Sequence, residues 1–153
     1  MKVRDIMTRD VRVASPSDNL KRAAQIMEEH DFGMLPVGDE GRLVGMLSDR
    51  DITIRAVARG VSPDSGKVRD IMSAEVKYVY DDDTVEDAAR SMSDLQVRRL
   101  PVLDRDKRLV GIVSLGDLAL SDGPSHAGEA LCSISQPGGA HSQAGDGKAR
   151  LRM

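Results

Sequence analysis

The chain repeats itself, and this constrains its fold more than any other feature of the sequence. Val3-Arg4-Asp5-Ile6-Met7 returns as Val68-Arg69-Asp70-Ile71-Met72, an offset of 65 residues. The same offset pairs Ala23-Ala24 with Ala88-Ala89, and Leu35-Pro36-Val37 with Leu100-Pro101-Val102. A one-residue insertion lengthens it to 66. It then pairs Arg42-Leu43-Val44-Gly45 with Arg108-Leu109-Val110-Gly111, and Ser48-x-x-Asp51 with Ser114-x-x-Asp117. Matched blocks in fixed order identify a tandem duplication of a unit about 60 residues long. The chain thus divides into a first repeat over 1–60, a linker over 61–67, a second repeat over 68–121 and a tail over 122–153.

Each repeat reads as β-α-β-β-α, an α+β fold. A short β-run opens it, Val11 to Val13 and then Val76 to Val79. A helix follows, with apolar residues at i, i+3, i+4 and i+7: Leu20, Ala23, Ala24 and Met27, copied as Val85, Ala88, Ala89 and Met92. Asp18 and Asp83 stand where N-caps belong. The alanine pairs let this helix lie close against a sheet. Two strands come next, Met34–Val37 and Leu43–Leu47 around an Asp-Glu-Gly turn, with copies at 99–102 and 109–113. Pro36 and Pro101 mark a strand edge, because proline has no N–H to give a ladder. A second helix opens at Ser48 and at Ser114.

Beyond Ser121 the pattern stops. Most of 124–153 reads as a flexible C-terminal tail of Gly, Ser, Ala, Gln and Pro, with a short docked helix around 126–134 as the alternative.

Composition narrows the classes. Aromatics make up 2% (Phe32, Tyr78 and Tyr80), which argues against base-stacking nucleic-acid platforms. A net charge of −3 gives no electrostatic footprint for DNA or for an anionic membrane. The sole cysteine, Cys132, cannot form an internal disulfide. The start lacks the apolar stretch of a signal peptide and no run is long enough to span a bilayer, so a reducing cytoplasm is expected. His30, His126 and His141 are scattered and read as surface residues rather than metal ligands. No phosphate-loop, zinc-protease or nucleophile-elbow motif occurs, so nothing argues for an enzyme.

The tandem β-α-β-β-α unit, with Leu-Pro-Val on its second strand and Gly-x-x-Ser-x-x-Asp before its last helix, resembles the CBS-domain pair, or Bateman module. Met46-Leu47-Ser48-Asp49-Arg50-Asp51-Ile52 is most similar to its stand-alone two-repeat members. The resemblance covers residues 1–121. It implies pseudo-two-fold symmetry, two clefts between repeats, adenine nucleotides as regulatory ligands, no required cofactor and a homodimer that signals to a regulated partner protein.

Two readings of the repeated motif stay open. Ser-x-x-Asp at a helix start is a capping box, in which the serine and the acid satisfy each other's backbone N–H groups. A carboxylate is also an acceptor for paired ribose hydroxyls, which is the role the resemblance implies. It gathers Ser48 and Asp51 with Arg98, Arg99 and the strand carrying Val79 in one cleft. The other joins Ser114 and Asp117 to Ala14, Phe32, Gly33 and Arg9. Arg98 and Arg99 offer bidentate hydrogen bonds to phosphate, or are a solvated pair that guards an edge strand. Gly33 and Met34 stand in their place in the first repeat, so the clefts differ and the arginine cleft is the expected phosphate site. Arg50 either assists there or is solvated, and its counterpart is Gly116. Gly33 admits a base close to the backbone; Phe32 packs on that base or belongs to the core. The ligand stays open among AMP, ADP, ATP, NAD and S-adenosylmethionine. The rival from a different class is a nucleotide-independent dimerisation scaffold.

Overall fold

In a computed structural model of the chain, residues 1–137 are described. Two compact units form. One comprises residues 10–77 with 107–109; the other comprises 1–9, 78–106 and the described residues from 110 onward.

In the unit built on residues 10–77, helix α2 (Leu20–His30) buries Leu20, Ala23, Ile26 and Met27. They pack with Leu35, Val37 and Leu47 of an antiparallel pair, β1 (Met34–Asp39) and β2 (Arg42–Ser48). The turn between these strands takes left-handed geometry at Glu40 (φ 51°) and Gly41 (φ 79°), the conformation a tight hairpin demands. The second edge of β1 receives one residue, Ala14, whose N–H donates to the Pro36 carbonyl and whose carbonyl accepts from Gly38. Pro36 faces this nearly unpaired edge, so its missing N–H costs the ladder little. Val11–Val13 form no strand; the pairing expected there is reduced to the single bridge at Ala14.

The other unit repeats the plan. β3 (Val79–Tyr80) runs parallel to β4 (Arg99–Leu103), which neighbours β5 (Leu109–Ser114). Helix α5 (Val85–Leu95) buries Val85, Ala88, Ala89 and Met92 against this sheet's Leu100, Val102 and Val113.

Several local expectations are corrected. The N-caps are Asn19 and Thr84, whose side chains accept the Arg22 and Asp87 N–H groups. Asp18 and Asp83, one residue earlier, close the preceding turns by accepting from Ser15 and Tyr80. In the first repeat the second helix is α3 (Asp49–Asp51) followed by a π-helix over Ile52–Val57. Its β-branched residues Ile52, Thr53, Ile54 and Val57 are weak α-helix formers. The Thr53 hydroxyl also donates to the Asp49 carbonyl, which competes with the regular i→i−4 ladder. The copy has Leu118, Ala119 and Leu120 there, and α6 (Leu115–Asp122) is regular.

The tail reading also changes. Pro124–Ile134 form helix α7, which packs against α5 and α6 through buried Ala127 and Ala130. The Gln96 amide donates to the Ser133 carbonyl at 2.9 Å. The rest of the expected flexible tail, residues 138–153, lies outside the described residues.

The duplicated Val-Arg-Asp-Ile-Met segments are exchanged. Helix α1 (Val3–Ile6) docks with the second repeat: Val3 and Arg4 donate to the Asp83 and Asp81 carbonyls, and Thr8 bridges to Ile112. Helix α4 (Val68–Ile71) docks with the first repeat, where Val68 and Arg69 donate to Asp18 and Pro16, and Ser73 bridges to Met46. Each compact unit therefore differs from the span of either sequence repeat.

Candidate functional site

Both Ser-x-x-Asp motifs form the expected capping boxes. Ser48 accepts the Asp51 N–H at 3.0 Å while Asp51 Oδ2 accepts the Ser48 N–H at 2.9 Å. Ser114 and Asp117 reproduce this at 3.1 and 2.8 Å. Capping consumes one oxygen of each carboxylate. The other accepts no hydrogen bond among the described residues; in Asp51, whose side chain is 13% exposed, it faces Arg55 at 3.9 Å. Each motif is fixed from the same side by the residue before β1 or, in the copy, before β4. Gly33 gives its carbonyl to the Asp49 N–H at 3.0 Å, and Arg98 gives its own to Leu115 at 2.8 Å.

Around the first motif, the side-chain space at Gly33 faces the Asp49 carboxylate, whose Oδ2 lies 3.2 Å from an ideal Cβ position. Phe32 is half-buried against the core of its unit and stacks on His30 with ring centroids 5.7 Å apart. Ala14 is fully buried, and both its backbone polar groups already serve the β1 bridge. The Arg50 N–H donates to Asp49 Oδ1 at 2.7 Å.

In the other unit, Val79 is buried in the core, so only its backbone can meet a ligand. Arg98 and Arg99 are exposed and make no ion pair among the described residues. Arg9 is exposed and donates to the Arg4 carbonyl at 2.9 Å. An ideal Cβ at Gly116 would make ordinary contact with Ser114 Oγ at 3.6 Å. The structure thus brings Arg98 to Ser114, and Gly33 to Ser48, within their own units. The grouping that the resemblance implies takes residues from both units and belongs to the proposal below.

Three features escaped the sequence reading. Arg55 lies one turn beyond Asp51, with Nε 3.9 Å from Asp51 Oδ1; the i, i+4 spacing of opposite charges signals it. Arg105 grips Asp82 in a fork, Nε to both carboxylate oxygens at 3.1 and 3.0 Å and a terminal nitrogen to Oδ1 at 2.8 Å. Its guanidinium also lies 4.0 Å from the centre of the Tyr80 ring. The Arg105 hydrogen bonds hold the Asp82 carboxyl below its usual value and raise Arg105 in return. The third feature is a groove of about 320 Å³ between α5 and α7, lined by Glu86, Arg90, Ser93, His126 and Glu129. No sequence signal marks it, because the buried face of α7 is alanine and gives weak periodicity.

Among the described residues no cluster of three His, Cys, Asp or Glu side chains could hold a metal ion. No helix among them is long and apolar enough to cross a membrane.

Two copies of a small sheet-and-helix unit, each with an acid-capped second helix, define a tandem-repeat module. The CBS-domain family model matches residues 3–57 and again 68–121, and the chain belongs to that family. CBS pairs of this stand-alone kind are regulatory modules. The chain is 42% identical over 134 residues to the CBS domain-containing protein YhcV of Bacillus subtilis, covering 87% of this chain and 94% of that one. It is 41% identical over 117 residues to hypoxic response protein 1 of Mycobacterium tuberculosis, covering 76% and 81%. The crystal structure of that protein, described with two coordinated zinc ions, superposes with a TM-score of 0.72 at 39% identity over 79% of this chain and 98% of the other. The CBS domain pair of protein MJ0100, in complex with 5′-methylthioadenosine and S-adenosyl-L-methionine, gives a TM-score of 0.71 at 31% identity over 80% and 96%.

Proposed function

We propose that this chain is a non-enzymatic sensor of adenosine-type ligands. The ribose hydroxyls go to the carboxylate oxygen of Asp51 or Asp117 that capping leaves unused. Any phosphates go to Arg98 and Arg99, which supply ten N–H donors in fixed forks, about five each. Ser48, Val79 and the two arginines are assigned to one cleft, and Ser114, Ala14, Phe32, Gly33 and Arg9 to the other, as the family resemblance implies. Ligand occupancy favours one arrangement of the chain through differential affinity, and a partner protein reads the change. A homodimer in the cytoplasm is part of this reading.

The observation that carries it is the adenosine-type ligands on the MJ0100 pair, together with the retention of both Ser-x-x-Asp motifs here. The test is a thermal titration of nucleotide-stripped protein with AMP, ATP, NAD and S-adenosylmethionine. A ligand at a hundred times its dissociation constant adds about 2.7 kcal/mol, a shift of several degrees at this size. The expected result is a selective shift that is lost in Asp51→Ala, Asp117→Ala or both. No shift with any of the four in a folded dimer establishes the scaffold reading instead.

A further inference from the structure

The first repeat carries a connection that the second lacks. Asp51 Oδ2 is taken by the Ser48 N–H, and Oδ1 faces the Arg55 Nε at 3.9 Å. Another nitrogen of that guanidinium donates to the Ile71 carbonyl at 3.0 Å, with the Met72 carbonyl and Ser73 Oγ each at 3.5 Å. These carbonyls end α4, where no further turn of helix satisfies them. A guanidinium is planar and rigid, so a change at one edge is felt at the other. From α4 the connection returns to the site. Ser73 and Met46 exchange both backbone hydrogen bonds, at 2.9 and 3.0 Å, and Met46 lies on the strand that leads into Ser48. In the copy, Ser121 stands in place of Arg55, and Asp117 makes no ion pair among the described residues.

We propose that Arg55 is a positioning residue that couples occupancy of the Asp51 carboxylate to the C-terminal end of α4. The inference rests on the reading of Asp51 as a hydroxyl acceptor. A ribose diol that donates to Oδ1 supplies that oxygen with its own hydrogens and weakens its attraction for Arg55. The guanidinium then settles more fully on the Ile71 and Met72 carbonyls. One repeat reports its occupancy through α4, and the other has no such wire.

Amide hydrogen exchange on the full chain tests this, with AMP as the probe and an Asp117→Ala background that leaves Asp51 as the acceptor. AMP is expected to slow exchange over residues 68–76. Adding Arg55→Met should retain AMP binding by thermal shift and lose that slowing; Arg55→Lys, which keeps the charge without the fork, should lose most of it. Arg55→Gln repeats the comparison should the methionine variant fail to fold. Retained slowing in the Arg55 variants overturns the proposal, as does AMP binding that leaves 68–76 unchanged. Binding to the wild type but not to the Asp117→Ala background also overturns it, and spares the functional reading. No AMP binding to the wild type, with none of the other three ligands binding, removes both.

Discussion

Met7 closes directly over Gly111. A Cβ built at Gly111 would lie 2.6 Å from the Met7 Sδ and 2.8 Å from the Thr8 carbonyl oxygen. Gly45 meets Met72 and Ser73 in the same way, at 2.6 and 3.0 Å. The glycines on the last strands and the methionines of the exchanged segments are thus one packing motif, used twice. The methionine thioether can move aside, but the backbone carbonyl is held in its bridge. Gly111→Ala is expected to destabilise the protein by about 1–3 kcal/mol, the usual cost of overpacking. Urea melts of this variant and of Gly45→Ala check it; a loss under a few tenths contradicts the fit.

The capping boxes predict a cost that does not depend on ligand. Ser48→Ala and Ser114→Ala each leave a helix-terminal N–H without its acceptor and should cost about 1 kcal/mol. Denaturant midpoints of ligand-free protein measure it. Asp51→Asn and Asp117→Asn keep an acceptor oxygen and should cost less than alanine at the same positions.

Arg105 makes Asp82 a reporter of acid stability. Because the folded carboxyl titrates below its unfolded value of about 3.9, the ion pair contributes stability above that pH. The contribution is lost as pH falls through the depressed folded value. Arg105→Met should return the Asp82 titration, followed by NMR, to the ordinary carboxylate range. The stability gap between wild type and variant should narrow with acid and with salt, since the pair is exposed. A gap that widens below pH 4 would contradict the assignment.

Helix α7 should be an integral part of its unit. A chain ending at Ser121 uncovers Ala89, which is 4% exposed in the full chain. It also strips the Gln96 amide of its partner. Its unfolding should show a lower midpoint and a smaller denaturant dependence, because less surface is then exposed on unfolding. Gln96→Ala alone should cost about 0.5–1.5 kcal/mol. Unchanged melts on truncation would mean that α7 is not docked in solution.

The sequence was legible where one physical requirement dominated. Helical periodicity placed α2 and α5, and the serine-acid spacing placed the start of each second helix. It failed where neighbouring residues offered the same chemistry. Asp18 and Asn19 are both capping residues, and only the turn through Ser15 decides between them. The π-winding over Ile52–Val57 accompanies a run of β-branched residues and a Thr53 hydroxyl bonded to the Asp49 carbonyl, which no apolar pattern records. Helix α7 was hidden because its buried face is alanine, whose small side chains give weak periodicity. The exchange of α1 and α4 was out of reach for another reason: identical segments carry no mark of which repeat receives them. For the site, the residues that cap were readable from spacing, whereas Arg55 acquires its meaning only from carbonyls 16 and 17 residues away.

That exchange also sets an order of events during synthesis. The unit of residues 10–77 is nearly continuous in the chain, and its closing contacts are available once α4 has emerged. The other unit must hold its first nine residues in reserve until β5 is made, because Thr8 finds its bridge only at Ile112. Such distant closure is slow. Residues 1–9 precede every other part of their own unit and are therefore among the last of it to be fixed.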